Sequence, residues 1–168
     1  STAGSLDSKL PPHAENLGRA ILDRIAAKPN AVAFMGPGAD DSWSVKYTWR
    51  EAGDEMLKLG AGLLALGLEL EDRVAIAANT RNEWIFADAA VMLAGGANTT
   101  IYPSTGDDDF AYILSDSGAR FLIAEDQKQA DKALHQRDQV PELTKIILID
   151  GNGDGDFVIS WADLKALG

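Results

Sequence analysis

No cysteine occurs among the 168 residues. That excludes disulfides, a thiolate nucleophile and Cys-type zinc sites, and it fits a cytoplasmic protein. Basic residues are the next shortage: 15 Lys and Arg stand against 26 Asp and Glu, for a net charge of −11. A phosphate backbone is repelled by that sum, and the basic residues are scattered, so no nucleic acid is expected as a partner. Histidine occurs only at His13, beside two prolines, and at His135, in a polar stretch, with nothing to pair them. Long apolar runs are missing too. The longest uncharged apolar stretch, Ala89 to Ala97, is too short to span a bilayer. The opening STAGSLDSKLPP has neither a basic n-region nor an apolar h-region, so it does not read as a signal peptide. The motifs G-x-x-x-x-G-K-[ST], H-E-x-x-H and G-x-S-x-G are all absent. No catalytic residue can be named from the pattern.

What is present is an ordinary globular balance, 46% apolar, in a chain long enough for one cored domain. Residues 1–13 are polar and Pro-containing and are expected to be a flexible tail. Ala14 to Ala27 places Leu17, Ile21, Leu22 and Ile25 on one helical face. Ala31–Met35 and Ser44–Trp49 are β-prone and flank a turn-rich link, which predicts an antiparallel hairpin. Thr48 with Glu51 makes a capping box for a helix running to about Leu66, stopped by Gly67.

The stretch Arg73 to Pro103 then reads as a strand, a helix and a strand, the size of one βαβ unit. Its strands should lie parallel. Three acidic residues, Asp107 to Asp109, open a further helix and suit the positive end of its dipole. Phe121–Ala124 is a short buried strand, Gln127–Gln139 a polar surface helix and Lys145–Ile149 a fourth parallel-type strand. Gly151–Asp156 is a loop, and Ser160 caps a last short helix. The fold class is therefore α/β: a mainly parallel, doubly wound sheet with helices on both faces, preceded by a helix and a β-hairpin.

Two motifs are set aside. Gly60-Ala61-Gly62-Leu63-Leu64-Ala65 matches the dinucleotide fingerprint, but it lies inside a helical pattern rather than between a strand and a helix. Asp150 to Asp156 resembles the first half of a calcium loop, yet the twelfth position is Trp161 instead of Glu. The four tryptophans are expected as core or half-buried anchors. Ligands of parallel sheets bind beyond the carboxyl ends of the strands. Those ends are Asn79-Thr80-Arg81, Tyr102-Pro103-Ser104-Thr105, Glu125-Asp126 and Asp150. The first two hold residues suited to a pocket wall. They can equally be structural, with Asn79 and Thr80 as helix caps and Pro103 as a turn former.

Several segments, in order, resemble the N-terminal region of adenylate-forming (AMP-binding) enzymes. They are Tyr47-Thr48-Trp49-Arg50-Glu51, Gly60-x-Gly62-Leu63-x-x-Leu66-Gly67-Leu68, Glu71-Asp72-Arg73-Val74-Ala75-Ile76, Asn79-Thr80-Arg81-Asn82-Glu83-Trp84 and Ala94 to Pro103. Tyr112-Ile113-Leu114-x-Asp116-Ser117-Gly118-Ala119-Arg120 and Ser160-Trp161-x-x-Leu164 continue the likeness, which covers about residues 14–168. Within the superfamily the chain looks most like the long-chain fatty acyl-CoA synthetases, on Thr99 to Ser104 and the Asn79–Trp84 turn.

The resemblance implies a parent enzyme that uses ATP and Mg2+ to convert a fatty acid to an acyl-adenylate, and then CoA to release AMP. It also implies that the phosphate loop, the ribose-binding Asp and the C-terminal catalytic Lys lie outside these residues, with the phosphate loop expected soon after Gly168. The chain alone is then expected to be inert, residues 14–168 forming one subdomain that packs on the remainder of the same polypeptide. By the same resemblance, Tyr102, Pro103, Ser104 and Thr105 are candidates for a wall of the CoA channel, and Asn79, Thr80 and Arg81 for a cleft rim. Short-chain relatives often carry glycines where this chain has Pro103-Ser104. A homodimer through residues 1–30 and a cytoplasmic enzyme peripheral to the membrane are further family expectations. The alternatives are an acyl-AMP ligase that makes no CoA ester, and a non-catalytic α/β binding or dimerisation module.

Overall fold

Helix α1 (Leu17–Ala27) starts where the Asn16 side chain accepts a hydrogen bond from the Arg19 N–H, at 2.8 Å. This cap places the start later than the apolar spacing suggests. The computed structural model describes residues 14–37 and 42–168. The expected tail, 1–13, and the middle of the hairpin link, 38–41, lie outside the described residues. Strands β1 (Val32–Gly36) and β2 (Val45–Thr48) pair antiparallel as expected. Helix α2 (Trp49–Ala65) opens on the expected capping box: Glu51 N–H donates to Thr48 Oγ1 at 3.2 Å, and Thr48 N–H donates to Glu51 Oε2 at 2.8 Å.

The parallel sheet follows. Its members are β3 (Arg73–Ala77), α3 (Asn82–Leu93), β4 (Ala97–Thr100), α4 (Asp107–Ser117), β5 (Phe121–Ala124), α5 (Gln127–Leu134), β6 (Lys145–Leu148), β7 (Val158–Ser160) and α6 (Trp161–Leu167). Strand order is β4-β3-β5-β6-β7, and every pairing is parallel. The side-chain period of two splits each strand between two cores. Val74 and Ile76 of β3 pack with Met56, Leu59 and Phe86 of α2 and α3, on the face that α6 also covers with Leu164. Ala75 and Ala77 pack with Phe110 and Leu114 of α4 and Ala130 of α5 on the other face. Ile123 and Ile147 follow Val74, whereas Leu122 and Ile146 follow Ala75. The result is the expected three-layer, doubly wound α/β arrangement.

Three expectations are corrected. A fifth parallel strand, β7, lies against β6. Three residues abutting a helix cap are too few to show strand alternation. The loop before β7 is folded on Asp154, whose carboxylate accepts from the N–H groups of Asp156 and Val158. The 127–139 helix ends at Leu134, with a short 3₁₀ turn at Arg137–Gln139, and it is not a polar surface element: Gln129, Ala130, Lys132 and Ala133 are buried. Trp43 is 67% exposed and anchors no core, while Trp49, Trp84 and Trp161 are half-buried.

Gly60 and Gly62 sit in the interior of α2, away from any strand end. A Cβ on Gly62 would come within 2.2 Å of the Leu164 carbonyl oxygen, and one on Gly60 within 3.1 Å of the Ala90 carbonyl oxygen. The glycines therefore allow α3 and α6 to approach α2. Gly62→Ala gains roughly 1 kcal/mol of helix propensity but overpacks a backbone contact. We expect a net loss of roughly 1–3 kcal/mol in urea unfolding, with no loss for Gly106→Ala, which meets nothing within 4 Å.

Four carboxylates are held below their ordinary range. For Glu51 the cause is the Thr48 N–H and then its hydroxyl. For Asp163 it is the Ser160 hydroxyl and then its N–H. For Asp154 it is the N–H groups of Asp156 and Val158. At Asp72 burial pulls upward but is outweighed by the Glu69 N–H and by Arg120, whose Nη1 is 2.6 Å away. A carboxylate with a depressed folded pKa binds fewer protons folded than unfolded. Its contribution is present above the unfolded value, about 4, and is lost as pH falls through and below it. The melting temperature should therefore fall between pH 5 and pH 3. The doubly neutralised variant Glu51→Gln, Asp163→Asn should show a shallower fall in a pH series of thermal melts.

Candidate functional site at the carboxyl edge of the sheet

β3 is the strand at which the winding reverses. The chain leaves it through α3 on one face to reach β4, then crosses the other face through α4 to reach β5 on its far side. Ligands of such sheets enter the crevice between the carboxyl ends of the two strands at that reversal. Here the crevice lies between the Asn79–Arg81 turn after β3 and Glu125 after β5, with Asp150 beyond β6.

The side chains of the crevice are turned on one another. Asn79 donates to Glu125 Oε2 twice, from Nδ2 at 2.6 Å and from its N–H at 3.2 Å. Arg81 grips Asp150 with both terminal nitrogens, at 2.5 and 3.2 Å, and its Nε donates to Glu83 Oε2 at 2.7 Å. Glu125 Oε1 is 3.7 Å from the same guanidinium. Hydrogen bonds to Glu83 and then to Asp150 raise the Arg81 pKa above its already high ordinary value, so its charge is permanent. Arg81 is also the N-cap residue of α3, with no side-chain cap bond. A cation at the positive end of a helix is unfavourable by itself, and three carboxylates offset it. Asn79 and Thr80 are thus not the caps of α3. Thr80 is exposed.

Beside this crevice, beyond edge strand β4, stands the second predicted group. Ile101 is buried, and the next four residues form a β-turn closed by Thr105 N–H donating to the Tyr102 carbonyl at 2.9 Å. Pro103 takes the turn position its fixed φ suits. Ser104 is exposed, Pro103 and Thr105 are half-buried, and Tyr102 is 76% exposed. Underneath, Lys132 Nζ donates to the carbonyls of Pro103 and Thr105 at 2.8 and 2.7 Å, and Gln129 Nε2 donates to Pro103 O at 3.3 Å. The two predicted groups therefore share one edge of the sheet on adjacent strands, but no hydrogen bond joins them among the described residues. Sequence reasoning missed Gln129 and Lys132. Their signal was the inward spacing of Ala130 and Ala133, which marks the buried face of α5.

A recess of about 250 Å³ continues the crevice below Asp150, lined by Tyr47, Glu55, Glu83, Phe86, Trp161 and Lys165 among others. Lys165 spans it to Glu55 at 2.9 and 3.0 Å. The described residues hold no group of three or more His, Cys, Asp or Glu placed to share a metal ion. Asp150 and Asp154 of the calcium-like loop are engaged by Arg81 and by backbone N–H groups. No helix among the described residues is long and apolar enough to cross a membrane.

The AMP-binding enzyme family matches residues 22–165. The chain belongs to the AMP-binding enzyme family. A relative in Mycobacterium bovis, the long-chain-fatty-acid–CoA ligase FadD15, is 32% identical over 139 residues, which are 83% of this chain and 23% of that protein. The long-chain-fatty-acid–CoA ligase ACSBG2 of Xenopus laevis is 31% identical over 107 residues, 64% of this chain and 14% of that protein. The chain thus spans less than a quarter of the curated relatives it matches. Among solved structures, the anthranilate CoA ligase AuaEII in complex with anthranoyl-AMP matches 95% of this chain and 28% of its own, with a TM-score of 0.76 at 24% identity. The N-terminal domain of FACL13 from Mycobacterium tuberculosis matches 91% of this chain and 36% of its own, with a TM-score of 0.76 at 22% identity. At those identities the likeness speaks for the fold alone.

As a member of the AMP-binding enzyme family, the chain offers a substrate phosphate little at this crevice. Three carboxylates surround one guanidinium and outweigh its charge. The crevice braces β3, β5 and β6 against one another. Removing the cation should leave the carboxylates facing each other. Arg81→Met is expected to cost roughly 1–2 kcal/mol in urea unfolding at neutral pH. Arg81→Lys should recover only part, because an ammonium cannot reproduce the bidentate fork.

Proposed function

We propose that this chain is the first part of an ATP-dependent long-chain fatty acid–CoA ligase. The observation that carries the reading is the match to a long-chain-fatty-acid–CoA ligase over 83% of this chain but 23% of that protein, within a family match to residues 22–165. The parent enzyme would condense a fatty acid with MgATP to an acyl-adenylate and pyrophosphate, and CoA would then displace AMP. Residues 14–168 are one α/β subdomain of the larger adenylation domain. Leu17, Leu57, Leu64 and Leu70, all exposed, supply apolar surface for the remainder of the polypeptide to cover.

The 168 residues alone are inert in this reading. Phosphoryl chemistry needs cations and amide donors around a triphosphate. Here the net charge is −11 and the one guanidinium of the crevice is already paired with carboxylates. Within the parent enzyme, Tyr102, Pro103, Ser104 and Thr105 form part of the CoA-channel wall, and Asn79, Thr80 and Arg81 hold the rim of the adjoining cleft. The exposed Tyr102 ring, on a turn closed by its own hydrogen bond, supports the first assignment.

A chain-length screen of acids on the longer enzyme, with and without CoA, tests the reading. We expect AMP release with long-chain acids and thioester formation only with CoA. Acyl-adenylate with no thioester would favour an acyl-AMP ligase, and no nucleotide turnover with any acid would favour a non-catalytic module. Tyr102→Ala in that enzyme should raise KM for CoA roughly tenfold, as the loss of one aromatic contact would, and leave KM for ATP unchanged.

A further inference from the structure

Lys132 is 9% exposed and makes no ion pair among the described residues. A buried ammonium ordinarily finds a carboxylate. This one instead finds two backbone carbonyls, those of Pro103 and Thr105, at 2.8 and 2.7 Å, and lies 5.4 Å from the centre of the Phe110 ring. Its neighbour on the inward face of α5, Gln129, is 5% exposed and donates to Pro103 O at 3.3 Å. Two side chains of one helix thus converge on the carbonyls of one four-residue turn.

The turn is fixed in three independent ways. Proline sets φ at its second position. The Thr105 N–H to Tyr102 carbonyl bond closes it. The carbonyls on its underside are held by Lys132, a donor that can satisfy both at once because an ammonium offers three N–H groups. What this fixes is the backbone that carries Tyr102, a residue that is 76% exposed. A turn that served only to connect β4 to α4 would need no buried cation beneath it, since water satisfies exposed carbonyls. The desolvation of Lys132 is explained if the orientation of Tyr102 has to be defined before anything binds to it, because a side chain ordered in advance loses less entropy on binding.

We propose that Lys132 is the positioning residue of the Tyr102–Thr105 turn, holding the turn so that Tyr102 is presented to CoA. The second half of this statement rests on the reading of the turn as a wall of the CoA channel; the first half does not. Lys132 itself touches no substrate and takes no part in the chemistry. It acts through the backbone of residues 103–105.

The absence of cysteine allows a clean test in the 168-residue chain. Lys132→Cys removes the ammonium, and alkylation with 2-bromoethylamine restores one on a side chain of nearly the same length. Hydrogen exchange of the peptide covering 102–106 is expected to speed up about tenfold or more in Lys132→Cys, as a lost charge-assisted hydrogen bond implies. It should return toward the parent value after alkylation, while peptides over β5 and β6 stay unchanged. Unchanged exchange at 102–106, or acceleration that alkylation does not reverse, overturns the positioning role. Should Lys132→Cys fail to fold, acetic anhydride labelling of the unaltered chain decides: Lys132 should react about tenfold more slowly than exposed Lys128, and equal rates overturn the clamp.

In the longer enzyme, Lys132→Met should raise KM for CoA severalfold with KM for ATP and the rate of adenylate formation unchanged. If exchange at the turn responds but KM for CoA does not, the clamp stands and the CoA-wall reading falls.

Discussion

Everything in this fold depends on β3 being buried on both faces while hydrogen-bonded on both edges. Val74 and Ile76 point to one helical layer, Ala75 and Ala77 to the other. A one-residue slip of register would exchange the two sets and put alanines where α2 and α3 require larger side chains. β4 pairs with one edge and β5 with the other, so the register of all three strands is tied. The reversal of winding at β3 then follows, and with it the place where the loops after β3, β4 and β5 come together. The close approach of α2 at Gly60 and Gly62 belongs to the same constraint, because it lets α3 and α6 lie flat on the Val74–Ile76 face.

At the reversal point the chain closes its own crevice. Arg81 stands at the positive end of α3, where an anion would otherwise be favoured. Asp150, Glu83 and Glu125 occupy that role from inside the molecule. The bidentate grip on Asp150 links the ends of β3 and β6 across β5, and the Asn79–Glu125 bonds link β3 to β5. Three strand ends are thereby locked together. The fourth, that of β4, is at the sheet edge; Ile101 N–H ties it to the Ile76 carbonyl of β3, and α5 supports the turn beyond it through Gln129 and Lys132.

The continuous apolar runs of β3, β5 and β6, the helix caps at Thr48 and Ser160, and the stop at Gly67 were all readable, because each is a local rule written in adjacent residues. The α/β class and the parallel order of helices and strands follow from them. β7 was not readable, since three residues beside a cap show no alternation. Nor was the partnership of Arg81 with Asp150, 69 positions away, or of Lys132 with the 103–105 carbonyls. Strand ends are predictable from topology, but which side chains meet there depends on the lengths of the intervening loops. Asn79 and Thr80 illustrate the limit. As residue types they suit a helix cap, yet the cap position fell to Arg81 because Asn79 is drawn toward Glu125.

The charge arrangement limits what this part of an AMP-binding enzyme can contribute. Its carboxylates outnumber its cations, and three cations near the carboxyl edge are already engaged: Arg81 by three carboxylates, Lys165 by Glu55 and Lys132 by two carbonyls. Cations paired in this way are less available to charge that develops during a reaction, which is best stabilised by a donor free and aimed at it. Shape and rigidity are what remain to offer. Exposed Tyr102 on a turn fixed from beneath is a contact surface of that kind.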